Sequence, residues 1–424
     1  MSFIFSIYHW ILAWVGSIVC GHPSRGIFVI GVTGTKGKST TLEFLNAILE
    51  VAGKKTALSS TVRQKILNKT GRNMSGNSMP GRFFLQRFLK KAAKAGADYA
   101  LLEVTSQGVV QHRHEFIDWD AAFFTNLAPE HIESHGSFEN YRSAKTSFFN
   151  YLSKSKKKGK FFFVNKNDPS ADYFIKAAEK VSSGKVFPYS KENFIKICLK
   201  NGLDISSREK RAAVNSWLWS EFNLDNAAAG LAFAESQNIS WPIFKEALVG
   251  FKGLIGRMEF IQKEPFAVVV DGAHTPDSLE KAYQNTRPEI IFGKSGGRLI
   301  CVLGSAGGGR DKWKRPAMGK IAAEYCDVAI LTDEDPYNEN PNEILDQVEN
   351  GFKDAKERRV RPENVFKILD RREAIKKAVS LAGPGDTVIA TGKGSEMSIH
   401  VAGGKTIPWD EKEIMKEILE SFKV

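Results

Sequence analysis

Apolar residues follow two rhythms along this chain of 424 residues. Short unbroken runs, IFVI (27–30), YALLEV (99–104), AAFFTNL (121–127) and FFFVN (161–165), read as buried strands. Between them the apolar spacing lengthens to three and four residues, predicting helices over 41–52, 82–95, 139–152 and 223–237. A second set of runs follows: FAVVVD (266–271), RLICVLG (298–304), VAILT (328–332) and TVIATG (387–392). Strands alternating with helices predict α/β architecture, with mainly parallel sheets covered on both faces. Residues 183–215 read as a small β insertion, and GFKGLIGRME (250–259) as a glycine-rich hinge. The expected division is an apolar N-terminal helix in 1–26, a central domain over 27–255 and a Rossmann-like domain over 256–424. The expected active site is the cleft between the two large domains.

The first twenty residues break the pattern. FIFSIYHWILAWVGSIVC (3–20) has no Lys or Arg before it and no small-residue cleavage site after it, unlike a signal peptide. It is barely long enough to span a bilayer. Ser6, His9, Ala13, Gly16 and Ser17 recur at helical spacing, opposite Ile4, Ile7, Tyr8, Ile11, Val15 and Ile18. That is an amphipathic helix. Packing on the protein body or a partner, lying in a membrane interface and spanning all stay open.

Composition adds little to the fold: 42% hydrophobic and 25% charged residues are ordinary for a globular protein. The net charge of +12 includes the runs KSKKKGK (154–160) and KERRVR (356–361). It suits an anionic substrate, an anionic membrane surface or simply a solvated lysine-rich exterior. Aromatic–basic motifs for RNA or DNA are missing, so no nucleic acid partner is expected. Cysteines 20, 198, 301 and 326 show no metal spacing, which suggests a reducing, cytoplasmic setting.

The chemistry lies in loops that follow strands. GVTGTKGKST (31–40) joins a strand to a helix. A strand, a glycine turn and a helix place backbone N–H groups and a helix N-terminus around an anion. Lys38 supplies a point charge for phosphate, and Ser39 or Thr40 a hydroxyl for Mg²⁺. The common spacing has Gly where this chain has Val32, so the loop is a TGTxGKS variant. EVTSQG (103–108) puts Glu103 at a strand end, suited to Mg²⁺. TNLAPEHIESHG (125–136) brings His131 and His135, and FNLDNAAAG (222–230) opens a helix with Asn223 and Asn226. DGAHTPDSLE (271–280), GSAGGGRDKWKRPAMG (304–319), TDEDPYNENP (332–341) and GKGSE (392–396) end further strands.

Together, and in this order, these stretches resemble the Mur ligase family, and within it the ligases that add the third residue of the peptidoglycan stem peptide. The resemblance runs from about Ile27 to the C-terminus. It implies a P-loop-type ATP-binding central domain, a Rossmann-like C-terminal domain and a cytoplasmic, monomeric enzyme. Its reaction phosphorylates a muramoyl-peptide carboxylate with ATP, and an amino-acid amine then displaces the phosphate. By motif, Thr33, Gly34, Thr35, Lys36, Gly37, Lys38, Ser39 and Thr40 are expected to cradle ATP. Asn226, Arg257, Asp271 and His274 join them. Ser39 with Glu103 is expected to hold one Mg²⁺, and His131 a second. Lys145 matches the family lysine that becomes carbamylated, which turns a cation into an anionic metal ligand. Lys38, Lys145, His131 and Glu103 form the expected catalytic set. Thr105, Ser106 and Arg113 match acceptor-binding positions, and Arg310, Asp335 and Glu396 match amino-acid-binding positions.

Three departures accompany the resemblance. The family's N-terminal UDP-binding domain is expected to be missing, with the apolar helix in its place. A Thr-Thr-Pro stretch that helps hold the nucleotide sugar is NSMPGR (77–82) here. Relatives that add meso-diaminopimelate carry Asp-Asn-Pro-Arg where this chain has Glu334-Asp335-Pro336-Tyr337. With no arginine and an added acid, a diamine such as lysine is the expected amino acid. A lipid-linked or non-muramoyl acceptor, and a nucleotide-binding subunit that needs a partner, remain as alternatives. The N-terminal helix could then dock the enzyme at the inner face of a membrane.

Overall fold

The computed structural model describes residues 3–73, 77–130, 132–293, 296–309 and 312–422, with the side chains of Phe3 and Ile4 left aside. It divides into two compact units, Met1–Gly253 and Leu254–Val424.

The first unit opens with helix α1 (Phe3–Cys20) and is built on eight strands: β1 (Phe28–Thr33), β2 (Thr56–Ser59), β3 (Arg63–Ile66), β4 (Lys69–Arg72), β5 (Tyr99–Glu103), β6 (Ala121–Phe124), β7 (Lys160–Asn165) and β8 (Gly184–Tyr189). Their order is β4-β3-β2-β5-β1-β6-β7-β8. The six from β2 to β8 run parallel, and β3 and β4 extend the sheet as an antiparallel hairpin. Its helices after α1 are α2 (Lys38–Val51), α3 (Arg82–Lys94), α4 (Ser106–Val110), α5 (Ile132–His135), α6 (Phe138–Tyr151), α7 (Ala171–Glu179), α8 (Lys191–Lys200), α9 (Arg208–Val214), α10 (Glu221–Ser236) and α11 (Trp241–Gly250). The central strands are buried along nearly their whole length, which is why they read as unbroken apolar runs. Chain order reverses direction across the sheet beside β1, a switch point where α/β sheets bind ligands at the strands' carboxyl ends.

Residues 183–215 correct the expectation of a β insertion. Only β8 is extended, and it continues the main sheet beside β7. The rest forms α8 and α9, each opened by a serine that caps the helix N-terminus (Ser190 and Ser207). The apolar period of KENFIKICLK is helical, with Phe194 and Cys198 on the buried side.

The second unit has strands β9 (Glu259–Gln262), β10 (Ala267–Asp271), β11 (Leu299–Leu303), β12 (Val328–Leu331), β13 (Val365–Lys367) and β14 (Thr387–Thr391), ordered β13-β12-β11-β14-β10-β9. All but the edge strand β9 are parallel. A hairpin, β15 (Ser398–Val401) with β16 (Lys405–Pro408), stands apart. Helices α12 (Pro276–Thr286), α13 (Pro288–Phe292), α14 (Lys314–Tyr325), α15 (Pro341–Asn350), α16 (Arg371–Leu381) and α17 (Glu411–Ser421) complete it. Two apolar clusters, one on each side of the sheet, form its core.

Two further findings bear on the sequence reading. Cys301 on β11 and Cys326, which caps α14 just before β12, are joined as a disulfide across 6.1 Å between Cα atoms. Cys20 and Cys198 are free and buried. Cysteine usage therefore no longer argues for a reducing setting. No helix among the described residues is long and apolar enough to cross a membrane.

Candidate active site

β1 ends at Thr33 and α2 begins at Lys38, leaving Gly34 to Gly37 to turn the chain. Gly34 and Gly37 adopt φ of 148° and 82°, open to glycine and strained for other residues. A Cβ on Gly37 would lie 2.6 Å from Asn226 Oδ1, and one on Gly34 would collide with Thr125 Oγ1. The glycines thus serve both the turn and the close packing around it.

That packing comes largely from the segment after β6, which the sequence reading quoted as a motif without assigning these roles. Asn126 Oδ1 accepts from Lys36 N at 2.9 Å, and its Nδ2 donates to Lys36 O at 3.0 Å. Thr125 Oγ1 donates to Lys36 O at 2.7 Å. Lys36 Nζ pairs with Glu130 at 3.1 Å, and Thr35 Oγ1 lies 3.0 Å from Tyr141 OH. Thr41 on α2 donates to Asn226 Oδ1 at 3.1 Å, which seats α10 against the loop. A signal for Asn126 existed in its place just past a strand, but an asparagine there reads equally well as a turn residue.

Two lysines reach the same carbonyl. Lys38 Nζ donates to Gly34 O at 3.0 Å and Thr35 O at 2.9 Å. Lys145 Nζ, from α6, donates to Gly34 O at 2.8 Å and sits 4.7 Å from the Tyr141 ring centre. Lys145 is buried, and burial, reinforced by the charge of Lys38, holds its amine well below the ordinary lysine range. Ser39 Oγ donates to Glu103 Oε1 at 2.6 Å, at the carboxyl end of β5. Thr61 holds the same carboxylate from its backbone N (2.8 Å) and its hydroxyl (2.9 Å). A hydroxyl and a carboxylate beside a helix N-terminus form a hard oxygen donor set that fits Mg²⁺. Among the described residues no group of three or more His, Cys, Asp or Glu is poised around a metal. Expected ligand His131 lies outside the described residues. Thr33 and Thr40 are buried at the two ends of the loop.

Of the expected acceptor residues, Thr105 caps α4 by accepting from Gly108 N. Ser106 Oγ lies 3.1 Å from His135 Nε2. Arg113 donates to Gln111 Oε1 (2.6 Å) and to the carbonyl of Met79.

In the second unit the expected residues gather at the carboxyl ends of β10, β12 and β14. Asp271 accepts from Met258 N (2.7 Å) and Ala273 N (2.8 Å), pinning the turn after β10. The Arg257 guanidinium lies against Gly272, where a Cβ would displace it. His274 Nδ1 is 2.7 Å from Gly272 O, and Lys314 donates to His274 O at 3.1 Å. After β12, Asp335 accepts from buried Lys393 Nζ at 2.8 Å and from His400 N at 2.7 Å. Lys393 also donates to Glu396 at 2.6 Å. Burial opposes the Lys393 charge, but Glu396 and Asp335 outweigh it and raise the amine above its ordinary range. Tyr337, at φ 52°, stacks on His400 with ring centres 5.1 Å apart. Glu334 is buried, its Oε2 finds no hydrogen-bond partner among the described residues, and burial pushes its carboxyl up to about 7. Lys393 and the solitary oxygen of Glu334 were not legible as such in the sequence, since both depend on burial. Arg310 lies outside the described residues.

The profile of the Mur ligase middle domain matches residues 32–234, and that of the Mur ligase glutamate ligase domain matches 256–394. The UDP-N-acetylmuramyl-tripeptide synthetase of Treponema denticola is 37% identical over 430 residues, covering 96% of this chain and 78% of that protein. The UDP-N-acetylmuramoyl-L-alanyl-D-glutamate–2,6-diaminopimelate ligase of Syntrophomonas wolfei is 34% identical over 414 residues, covering 96% and 81%. Among solved structures, a Mycobacterium tuberculosis folylpolyglutamate synthase with ADP and AMPPCP shares the fold at 13% identity, with a TM-score of 0.65 over 91% of this chain and 96% of that one.

Proposed function

The chain belongs to the Mur ligase family, and we propose that it adds a diamine amino acid such as lysine to a muramoyl-peptide carboxylate. As a member it is an ATP-dependent, ADP-forming ligase of peptide bonds in peptidoglycan synthesis. The observation that carries the reading is the convergence on Gly34: Lys38 and buried Lys145 both donate to its carbonyl.

In this reading Lys38 and the loop from Thr33 to Thr40 take the phosphates of ATP, with Asn226 beside them. Ser39 and Glu103 would hold one Mg²⁺, and His131 with carbamylated Lys145 a second, and such ions would offset charge on a transferring phosphoryl group. Burial of Lys145 supports the modification, because a carbamate forms from the neutral amine. Thr105, Ser106 and Arg113 bind the acceptor. From the second unit, Arg257, Asp271 and His274 are assigned to the nucleotide, and Arg310, Asp335 and Glu396 to the amino acid. The protein positions two reactants and stabilises charge, and it needs no covalent intermediate of its own.

The diamine assignment rests on Tyr337 standing where an arginine would grip a distal carboxylate, and on the buried acid Glu334 beside Asp335. Phosphate release from ATP with UDP-muramoyl-dipeptide, across lysine, ornithine and meso-diaminopimelate, tests it. Release that depends on lysine or ornithine is expected. A clear preference for diaminopimelate sinks the diamine assignment. A second reading, a lipid-linked acceptor at the inner face of the membrane, is favoured by the outward side of α1. Silence with every amine, from protein that still binds ATP, would favour it.

A further inference from the structure

Helix α1 is mounted with its small and polar side inward. Ala13, Gly16, Ser17 and Cys20 are buried, and Gly16 packs against Phe83 of α3. Polar contacts fix the same side: Ser6 Oγ to His112 Nε2 (2.8 Å), His9 Nδ1 to Arg82 Nη2 (2.6 Å) and Ser17 Oγ to Phe116 O (3.3 Å). The opposite side is apolar and faces out. Phe5, Ile7, Tyr8, Trp10, Ile11, Trp14, Val15, Ile18 and Val19 are all exposed, nine of the nineteen exposed large hydrophobic residues among the described residues. That many on one short helix form a patch, and patches of this kind mark interaction sites.

Charge identifies what covers it. α1 contains no Asp, Glu, Lys or Arg. Its neighbour α3, RFFLQRFLKKAAK, carries five cations and no acid. Phe83, Phe84, Arg87, Lys91 and Lys94 are exposed on α3, and Lys90 reaches across to the carbonyl of Val19. An apolar, tryptophan- and tyrosine-bearing helix beside a purely basic one is the composition of an interfacial membrane binder. Other occupants fit less well. A second copy packed symmetrically on α1 would bring two such basic helices together. Spanning fails on length, about 27 Å of helix against about 30 Å of hydrocarbon. It would also strip the polar contacts from Ser6, His9 and Ser17.

We infer that α1 and α3 form a docking platform that seats the first unit on an anionic bilayer, with the Trp10–Trp14 side of α1 in the interface and the α3 cations against lipid headgroups. Trp10 and Trp14 stack on one another, 6.5 Å between ring centres, and sit as the anchors. Docking stands apart from acceptor chemistry, since it can be read without turnover.

Flotation of the full chain with vesicles tests it, using phosphatidylcholine alone and phosphatidylcholine mixed with phosphatidylglycerol. The expected result is flotation with the mixed vesicles only. Trp10→Ser with Trp14→Ser should weaken partitioning at least tenfold. Arg87→Glu with Lys91→Glu should weaken it by roughly fivefold for each cation lost, or more. Arg87, Lys91, Trp10 and Trp14 are exposed, Trp10 also meeting Phe116 edge-on at 5.1 Å between ring centres, and circular dichroism checks that each variant keeps the fold. Equal flotation of wild type and the tryptophan variant overturns the platform. So does absence from both vesicle fractions, whether or not sedimentation shows a dimer that the tryptophan variant lacks. Equal flotation with neutral vesicles overturns the anionic preference.

Discussion

Lys38 and Lys145 in the first unit donate to backbone carbonyls of the phosphate loop, whereas Lys393 in the second is held between two carboxylates, Asp335 and Glu396. Both sets sit at the carboxyl ends of parallel strands. The difference lies in what holds each charge. The carbonyls steady Lys38 without neutralising it, so its charge stays available to a phosphate, whereas burial disfavours the charged form of Lys145. A carboxylate pair balances its lysine and fixes geometry instead. The first arrangement suits a reaction that needs positive charge in place before substrate arrives. The second suits recognition, where acids select a partner by what they leave unpaired. The comparison predicts that damage to the first site removes chemistry, while damage to the second changes stability and choice of amino acid.

Lys38→Ala probes the first half most severely. The Gly34 carbonyl keeps Lys145, and the turn keeps its glycines, so the fold should hold. Amine-dependent phosphate release should fall by about a thousandfold or more, because a preorganised charge at the transferring group is lost. Steady-state release and ATP binding by calorimetry, measured side by side, separate chemistry from affinity. A variant that turns over within about tenfold of the parent would break the contrast between the units.

How far the sequence reveals this contrast follows from how each site is built. The phosphate loop is local: ten consecutive residues, a strand before and a helix after, and glycines where φ turns positive. Such a site is legible from pattern. Lys145 and Glu103 were reachable through the resemblance, since each lies on a different element from the loop. The clamp from Thr125 and Asn126 was quoted yet unassigned, because its partners are backbone atoms that a sequence does not display. In the second unit the partners are separated by some sixty positions, as with His400 N and Asp335. Nothing in TDEDPYNENP or GKGSE says which acid faces which base. The strands were legible where both faces are buried, but the helices over 191–214 were not, because β8 sits just ahead of them and coloured the whole stretch. The disulfide escaped for a related reason: Cys301 and Cys326 sit in apolar runs that looked like ordinary core.

The buried acid offers a sharper test of the second half. Burial raises the Glu334 carboxyl to about 7, so the folded chain keeps a proton that the unfolded chain releases in the ordinary carboxylate range. The folded state binds more protons across that window, and stability must fall as pH rises through it, levelling off above about 7. The loss should approach about 3 kcal/mol. Glu334→Gln cannot titrate and should flatten this part of the profile. Urea unfolding followed at about pH 5 and about pH 8 for both proteins gives the difference directly. Parallel profiles would mean that Glu334 is not the group that links pH to stability in the second unit.

The smallest effect bears on choice. Tyr337 is held by its ring stack on His400 and by the bond from its backbone N to His400 O at 3.1 Å. Replacing it by arginine keeps the backbone bond and adds a planar cation near Asp335 and Glu334. If the position reads the far end of the incoming amino acid, Tyr337→Arg should lower the KM for meso-diaminopimelate by about tenfold, the worth of a modest charge-assisted contact. The KM for lysine should hold or rise, since a new cation opposes a cationic side chain. KM values for both amino acids, with ATP and acceptor saturating, decide it. An unchanged ratio would move the selection away from Tyr337 and towards the acids around Lys393. The asymmetry between a charge-giving first unit and a selecting second unit would then rest on the carboxylates alone.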